Sequence, residues 1–140
     1  MATDDEHPRD IIVRALSGAP DTCIDVSIEL LQLLANSLSN VIGETGFESL
    51  LFRTVRRVGN DYPWLHFDPR ARPADPEFEL FRACFEGHQP AEIQAASILL
   101  FTTFVDILAL LVGAHLTKII LKNALGRAHI AKISKEQQNG

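Results

Sequence analysis

The sequence predicts an all-α protein with a core like a four-helix bundle. Three observations carry this prediction: apolar residues recur at helical spacing through most of the chain, alternating strand patterns are nearly absent, and glycine or proline breaks separate the periodic segments. The 140 residues have the length of one domain, and 46% apolar with 22% charged residues is an ordinary globular mixture. We therefore expect one self-sufficient hydrophobic core.

The chain is expected to begin with a short amphipathic helix and then a long apolar helix. Proline at the first helical position favours a helix over Pro8–Leu16, which a Ser-Gly-Ala-Pro breaker ends. The next helix is predicted over Cys23–Ile42, with Asp21 or Thr22 as its N-cap and Gly43 as its stop. Its apolar stripe is wide, so most of its girth should be buried.

A third helix is predicted from a capping motif. Thr45 and Glu48 have the S/T-x-x-E spacing in which the two side chains satisfy each other's free backbone amides. This motif predicts a helix over Gly46–Val58, with its apolar side chains inward and Arg53, Arg56 and Arg57 outward.

The segment from Tyr62 to Pro76 is expected to be irregular but packed. Its four prolines exclude a continuous helix. Trp64 and its aromatic neighbours are too apolar to stay fully solvated, so we expect them to lie against the bundle. Asp75 and Pro76 then have the pattern of an N-cap and first helical residue, which predicts a short helix to Gly87.

The last third is expected to form a second pair of helices. Gln89 and Pro90 start a long apolar helix that continues to Val112 and stops at Gly113. A final helix is predicted over Ala114–Leu125, with Gly126 as its stop and a polar tail after it.

The two halves of the chain resemble each other. At an offset of seventy residues, seven residues of the first half fall on residues of the same class in the second: Ile28, Leu30, Leu34, Leu38, Val41, Ile42 and Gly43 on Ile98, Leu100, Phe104, Leu108, Leu111, Val112 and Gly113. At sixty-nine, Arg53 falls on Lys122. This echo favours two pseudo-repeated helical hairpins joined by the Pro-rich aromatic segment and a short helix; a helical array without symmetry is the alternative.

These patterns divide the chain into three parts. We expect an acidic lead and short helix over residues 1–20, one helical domain over 21–126 and a polar tail over 127–140. Within the domain, hairpin 21–59, connector 60–89 and hairpin 90–126 follow one another.

Charge and cysteine content indicate which partner classes and which cellular compartment to expect. A net charge of −5 repels polyphosphate, so we do not expect nucleic acid as a partner. Two cysteines without a CxxC pair, together with an acidic start that lacks signal-peptide features, predict a reduced, cytoplasmic protein. Residues 97–114 are mainly apolar and carry a single charge, Asp106, which leaves three interpretations: a core helix, which we favour, a helix in an oligomer interface, or a membrane span.

The titratable residues give no pattern typical of an enzyme, metal or cofactor site. The five histidines have no metal-ligand spacing, and no nucleotide or nucleophile motif occurs. His66 with Asp68 is a candidate acid–base pair only if the loop turns both inward. Cys84 is interpreted as a small core residue. Asp106 is expected on a narrow polar stripe, with pairing to Arg53 or Lys122 as the alternative.

The function predicted from these features is a non-enzymatic regulatory, adaptor or assembly module that acts through protein–protein interaction, as a homo-oligomer. Its expected contact residues are Arg53, Arg56, Arg57, Trp64, Lys118 and Lys122, the basic ones forming either one face or separate solvated faces. The alternative is a small-molecule-binding helical domain with a pocket lined by Trp64, Phe67, Phe101, Phe104 and His115. A membrane-associated helical protein is the third interpretation.

Overall fold

A computed structural model describes residues 7–18 and 22–139, and of residues 127–139 it describes the backbone alone. The described part contains helices and no strands, which confirms the all-α prediction. Six helices follow one another: α1 (Pro8–Leu16), α2 (Cys23–Ser39), α3 (Gly43–Val58), α4 (Glu79–Cys84), α5 (Pro90–Val112) and α6 (Ala114–Asn139). The predicted acidic lead and Asp21 lie outside the described residues.

The packing of the four long helices follows the sequence echo. Helix α2 packs against α6 as α3 packs against α5, and the two hairpin pairs α2–α3 and α5–α6 also contact one another internally. The two echoing helices α2 and α5 touch, whereas α3 and α6 are not in contact in the described part of the chain. Exchanging the hairpins therefore leaves this pattern of neighbours unchanged, as expected for two pseudo-repeated halves.

A glycine stands at the same corner of each hairpin. Gly43 has a φ of +81° and Gly113 a φ of +93°, a backbone region that favours glycine because it lacks a Cβ. The first corner differs from the prediction, because α2 ends at Ser39 and Gly43 begins α3. The predicted capping box at Thr45 is therefore wrong: the helix starts upstream, with Ile42 as N-cap and no side-chain cap bond.

Helix α5 is the central element, and α6 is longer than predicted. Gln89 and Pro90 start α5 as expected, and its buried face runs from Ile93 to Leu108. Helix α6 continues through Gly126, so the predicted stop there is wrong. A single glycine inside a helix costs only about 1 kcal/mol, which the flanking helix-forming residues offset.

The connector folds onto the first hairpin. Leu65 and Phe67 are buried and Trp64 is half-buried against the core, which confirms the expectation that this aromatic segment packs. Helix α4 begins at Glu79, later than predicted from Asp75 and Pro76. The Asp75 carboxylate nevertheless accepts hydrogen bonds from the backbone N–H groups of Glu79, at 3.0 Å, and of Leu80, at 2.9 Å, so it still caps that helix.

Helix α1 closes the opposite side of the bundle. It packs on α5 and α6, and its Ile11, Ile12 and Leu16 are buried. The Gln94 side chain of α5 donates hydrogen bonds to the carbonyl oxygens of Leu16, at 2.8 Å, and Gly18, at 3.0 Å. These bonds satisfy free carbonyls at the end of α1 and fix the short helix to α5.

Candidate protein interaction surface

An open groove of about 870 Å³ runs between α3 and the end of α5. One wall is a single face of α3, which the helical period of 3.6 residues assembles from positions three and four apart. The other wall is the last two turns of α5. The lining residues, here called the α3–α5 groove, are Gly46, Ser49, Leu50, Arg53, Arg56, Arg57, Asn60, Ile107, Leu110 and Leu111.

Two leucines of this groove are unusually exposed. Leu110 is 87% exposed and Leu111 is 62% exposed, the two highest values among the large apolar residues whose side chains the structure describes. They lie in the last turn of α5, just before the Gly113 corner. Because α5 is apolar on all sides, its helical period alone does not distinguish these two from its core residues.

Three exposed arginines of the groove have no salt-bridge partner among the described residues. Arg53, Arg56 and Arg57 are neighbours on α3, and the guanidinium carbon of Arg56 lies 5.7 Å from the centre of the Phe52 ring. The arginines elsewhere behave differently: Arg9, Arg70, Arg72 and Arg82 each pair with a carboxylate. In an acidic protein, three adjacent guanidinium groups that the described residues leave without a carboxylate make this groove locally basic.

The structure does not bring the basic residues of α6 into this groove. Lys118 is half-buried and Lys122 is exposed on α6, whereas the groove is lined by residues from α3 to Asn60 and from α5. Since α3 and α6 are not neighbours in the described bundle, the arginines form a face without these lysines.

Trp64 takes part in packing within the connector. Its ring stacks on that of His88, with centroids 3.9 Å apart, and meets the rings of Tyr62 and Phe85 edge-on at 5.8 and 5.6 Å. The Nδ1 atom of His88 in turn lies 2.5 Å from Glu92. This cluster joins the connector to the start of α5 and lies outside the groove.

The residues of the alternative ligand pocket are dispersed. Phe101 and Phe104 are buried in the core, where Phe104 meets the Phe47 ring at 5.9 Å, and His115 is exposed at the start of α6. Phe67 packs edge-on against Phe81 and lines a different cavity, of about 570 Å³, between α2 and the connector.

The side chains considered for acid–base or thiol chemistry make hydrogen bonds within the connector and α4. The Asp68 carboxylate accepts a hydrogen bond from Nε of the Arg70 side chain, at 3.2 Å, and a second from the Arg70 backbone N–H, at 2.8 Å, and both lower the pKa of Asp68. Burial raises the pKa of the Cys84 thiol, which donates to the carbonyl oxygen of His66 at 3.3 Å. The described residues contain no cluster of three or more His, Cys, Asp or Glu able to hold a metal ion.

Asp106 is exposed on α5 and pairs with a residue that the sequence did not suggest. Its carboxylate lies 3.7 Å from Nε of Arg9 on α1. The expected exposure of Asp106 is therefore confirmed, but the expected polar stripe is wrong in one member, because Thr102 is buried and its hydroxyl donates to the carbonyl oxygen of Ile98. Arg9 takes the place of the alternative partners Arg53 and Lys122. By length and composition α5 could cross a membrane, with a mean hydropathy of 2.3 over its most apolar window, of which 56% is buried in the bundle.

Sequence reasoning found the arginines of the groove but missed its leucines. The apolar run around Leu110 predicted burial on every side. A signal was nevertheless present in the echo: at the offset of seventy, Leu110 falls on Asn40, a polar residue that is exposed beyond the end of α2.

Comparison of the chain with protein-family models, curated proteins and solved structures finds no match.

Proposed function

We propose that this chain is a non-enzymatic regulatory, adaptor or assembly module that acts through protein–protein interaction at the α3–α5 groove. One observation carries the proposal: the most exposed leucines of the described chain lie beside three arginines that have no salt-bridge partner among the described residues. Exposed apolar residues rimmed by charge are typical of contact surfaces between proteins.

The energetics favour docking at this groove. Burying one leucine side chain contributes about 1.5–3 kcal/mol, and Leu110 has nearly all of its side chain available for such burial. Arginine is enriched at the energetic centres of interfaces because its planar guanidinium binds carboxylates with two parallel hydrogen bonds. The isolated chain has neither the leucine burial nor the arginine–carboxylate bonds, and association with a partner supplies both.

Self-association is part of the same proposal and fits a second surface. Leu116 and Ile119 are exposed one turn apart on α6, outside the groove. A two-fold contact through this helix would cover both residues in each copy. Light scattering after size-exclusion chromatography then gives a dimer mass, which Ile119→Glu reduces to that of a monomer.

Photo-crosslinking tests the groove directly. We expect benzoylphenylalanine in place of Leu110 to yield protein adducts in the cell that makes this chain, identified by mass spectrometry. The same amino acid in place of Leu80, which is 45% exposed on α4, serves as the matched control and should yield few. Equal yields at the two positions, or adducts at neither, contradict the proposal.

A ligand-binding function is the second candidate, at the cavity between α2 and the connector. Its volume of about 570 Å³ lies in the usual range for small-molecule sites, and Phe47, Phe67 and Phe78 line it together with Gln32 and Asn36. Native mass spectrometry of freshly purified protein tests this candidate. A co-purifying small-molecule mass that Asn36→Trp removes supports it, and a ligand-free spectrum opposes it.

A further inference from the structure

We infer that the occupant of the α3–α5 groove is an acidic amphipathic helix of a partner protein. The inference rests on the proposed function and specifies its partner. Three properties of the groove lead to it: its shape, its charge and the position of its apolar residues.

The shape fits a helix. The lining residues of this wall run from Gly46 in α3 to Asn60 just after its end, which at 1.5 Å per residue is a channel of about 20 Å. A helix of four turns has this length, and its side chains would lie between the walls formed by α3 and α5. A flat bilayer surface would instead rest on the rims and leave the concave floor around Leu50 unfilled.

The charge selects an acidic occupant. Among the described residues, three guanidinium groups line the groove and no carboxylate does. A helix with glutamate or aspartate along one edge would pair with Arg53, Arg56 and Arg57, which the described residues leave without salt-bridge partners. A second copy docked symmetrically through the same groove would bring six arginines together, which disfavours this chain as its own occupant.

The apolar residues set the orientation. Ile107, Leu110 and Leu111 stand on the α5 wall, opposite the arginines on the α3 wall. The occupant therefore needs its apolar stripe toward α5 and its acidic stripe toward α3. Apolar residues at every third or fourth position with carboxylates beside them give this arrangement.

The test uses the full chain and a fluorescently labelled synthetic peptide of about 18 residues, with leucine at every third or fourth position and glutamate elsewhere. Fluorescence anisotropy should show saturable binding that weakens about fivefold or more between 0.1 and 0.5 M salt, because salt screens exposed charge pairs. A peptide with the same leucines but lysine in place of glutamate should bind at least about tenfold more weakly.

Matched variants locate the binding site. Leu110→Gln should weaken binding of the acidic peptide by about tenfold or more, while Leu80→Gln on α4 should leave it unchanged. Arg53→Gln and Arg57→Gln should each weaken it about two- to fivefold. Arg82→Gln makes the same change in net charge away from the groove and is their control. Far-ultraviolet circular dichroism confirms that each variant is folded.

Three outcomes overturn the inference. The first is equal affinity for the glutamate and lysine peptides, and the second is binding that Leu110→Gln and Arg53→Gln leave unchanged. The third is that the chain does not bind the peptide but binds vesicles of phosphatidylcholine and phosphatidylglycerol, and that Leu110→Gln or Arg53→Gln weakens this vesicle binding. If crosslinking at Leu110 gives protein adducts but the acidic peptide fails, the interaction module stands and the acidic helix is excluded as its partner.

Discussion

The two hairpins of this molecule share a plan but differ in what covers them. Each has a long apolar helix, a glycine corner with positive φ and a second helix that packs on the long helix of the other hairpin. The connector and α4 cover the first hairpin, where Phe67, Phe81 and Phe85 are buried. Helix α1 covers part of the second and leaves the end of α5 open.

Comparison of matching corner positions in the two hairpins separates apolar residues that are buried in the core from those that are not. At equivalent positions Val41 is 46% exposed and Leu111 is 62% exposed, so both corners are open. At the preceding position the first hairpin has Asn40 and the second has Leu110. A polar residue is the expected choice at an exposed site, and the exposed leucine beside three arginines is the exception on which the proposed interaction surface rests.

The largest expected effect comes from equivalent core leucines. Leu38 and Leu108 are fully buried at matching positions of the two hairpins. Truncation of either to alanine should lower the free energy of unfolding by about 2–5 kcal/mol, through lost burial and the cavity left behind. Urea unfolding measures both.

The outcome bears on the pseudo-symmetry. Similar losses from Leu38→Ala and Leu108→Ala would show that the two halves contribute equally to one core, and a loss confined to one variant would contradict that equivalence. Leu110→Ala is the control and should change the free energy of unfolding by less than about 0.5 kcal/mol, since its side chain is exposed.

The glycine corners should give the next largest effect. Gly43→Ala and Gly113→Ala place a Cβ at φ values of +81° and +93°, where no neighbouring atom lies within 4 Å. The cost is therefore backbone strain and should amount to about 1–3 kcal/mol for each variant, measured by thermal or urea unfolding. Unchanged stability in both variants would show that neither corner requires glycine.

Local signals in the sequence predicted the helices well where they acted alone. Pro8 and Pro90 each marked a helix start that the structure confirms, because proline favours the first helical turn. Thr45 failed as a cap because the corner at Gly43 starts α3 earlier, and Gly126 failed as a stop because its helix simply continues. Such competition between neighbouring signals is decided by packing, which the local pattern does not contain.

Only the basic residues of the candidate surface could be predicted from the sequence. Arg53 and Arg57 could be found because a basic stripe on an amphipathic helix faces outward by periodicity. Leu110 could not be found in that way, since α5 is apolar on every side and only the positions of the other helices decide what it exposes. The pairing of Arg9 with Asp106 was missed for the same reason, because it depends on where α1 docks.

A smaller effect should separate the second helices of the two hairpins. Helix α3 ends at Val58 before Gly59, whereas α6 continues through Gly126. Gly126 has an open Cβ position in the helix, so Gly126→Ala should raise the free energy of unfolding by about 0.5–1 kcal/mol. Gly59→Ala is the comparison: its Cβ would approach the carbonyl oxygen of Val55 to 3.3 Å, so we expect no gain. A loss of stability in Gly126→Ala would mean that α6 does not continue through this residue.

The smallest effect tests the closure of the connector over the first hairpin. Burial raises the pKa of the Cys84 thiol in the folded chain, while the unfolded chain has the ordinary value. The contribution to stability is therefore complete below the ordinary thiol pKa and is lost as pH rises through the raised value, because the unfolded state deprotonates first.

Alkylation measures this closure directly. In a Cys23→Ala background, where Cys84 is the one remaining thiol, iodoacetamide at about pH 8 should react more slowly with the folded protein than with the urea-unfolded chain, because the thiolate is the reactive form. Trp64→Ala removes the ring that stacks on His88, and we expect it to loosen the connector and raise the rate in the folded protein. Leu110→Gln leaves the connector intact and should not change the rate. Equal rates in the folded and unfolded chains would show that the connector does not cover Cys84, and the contrast between a covered and an open hairpin would then fail.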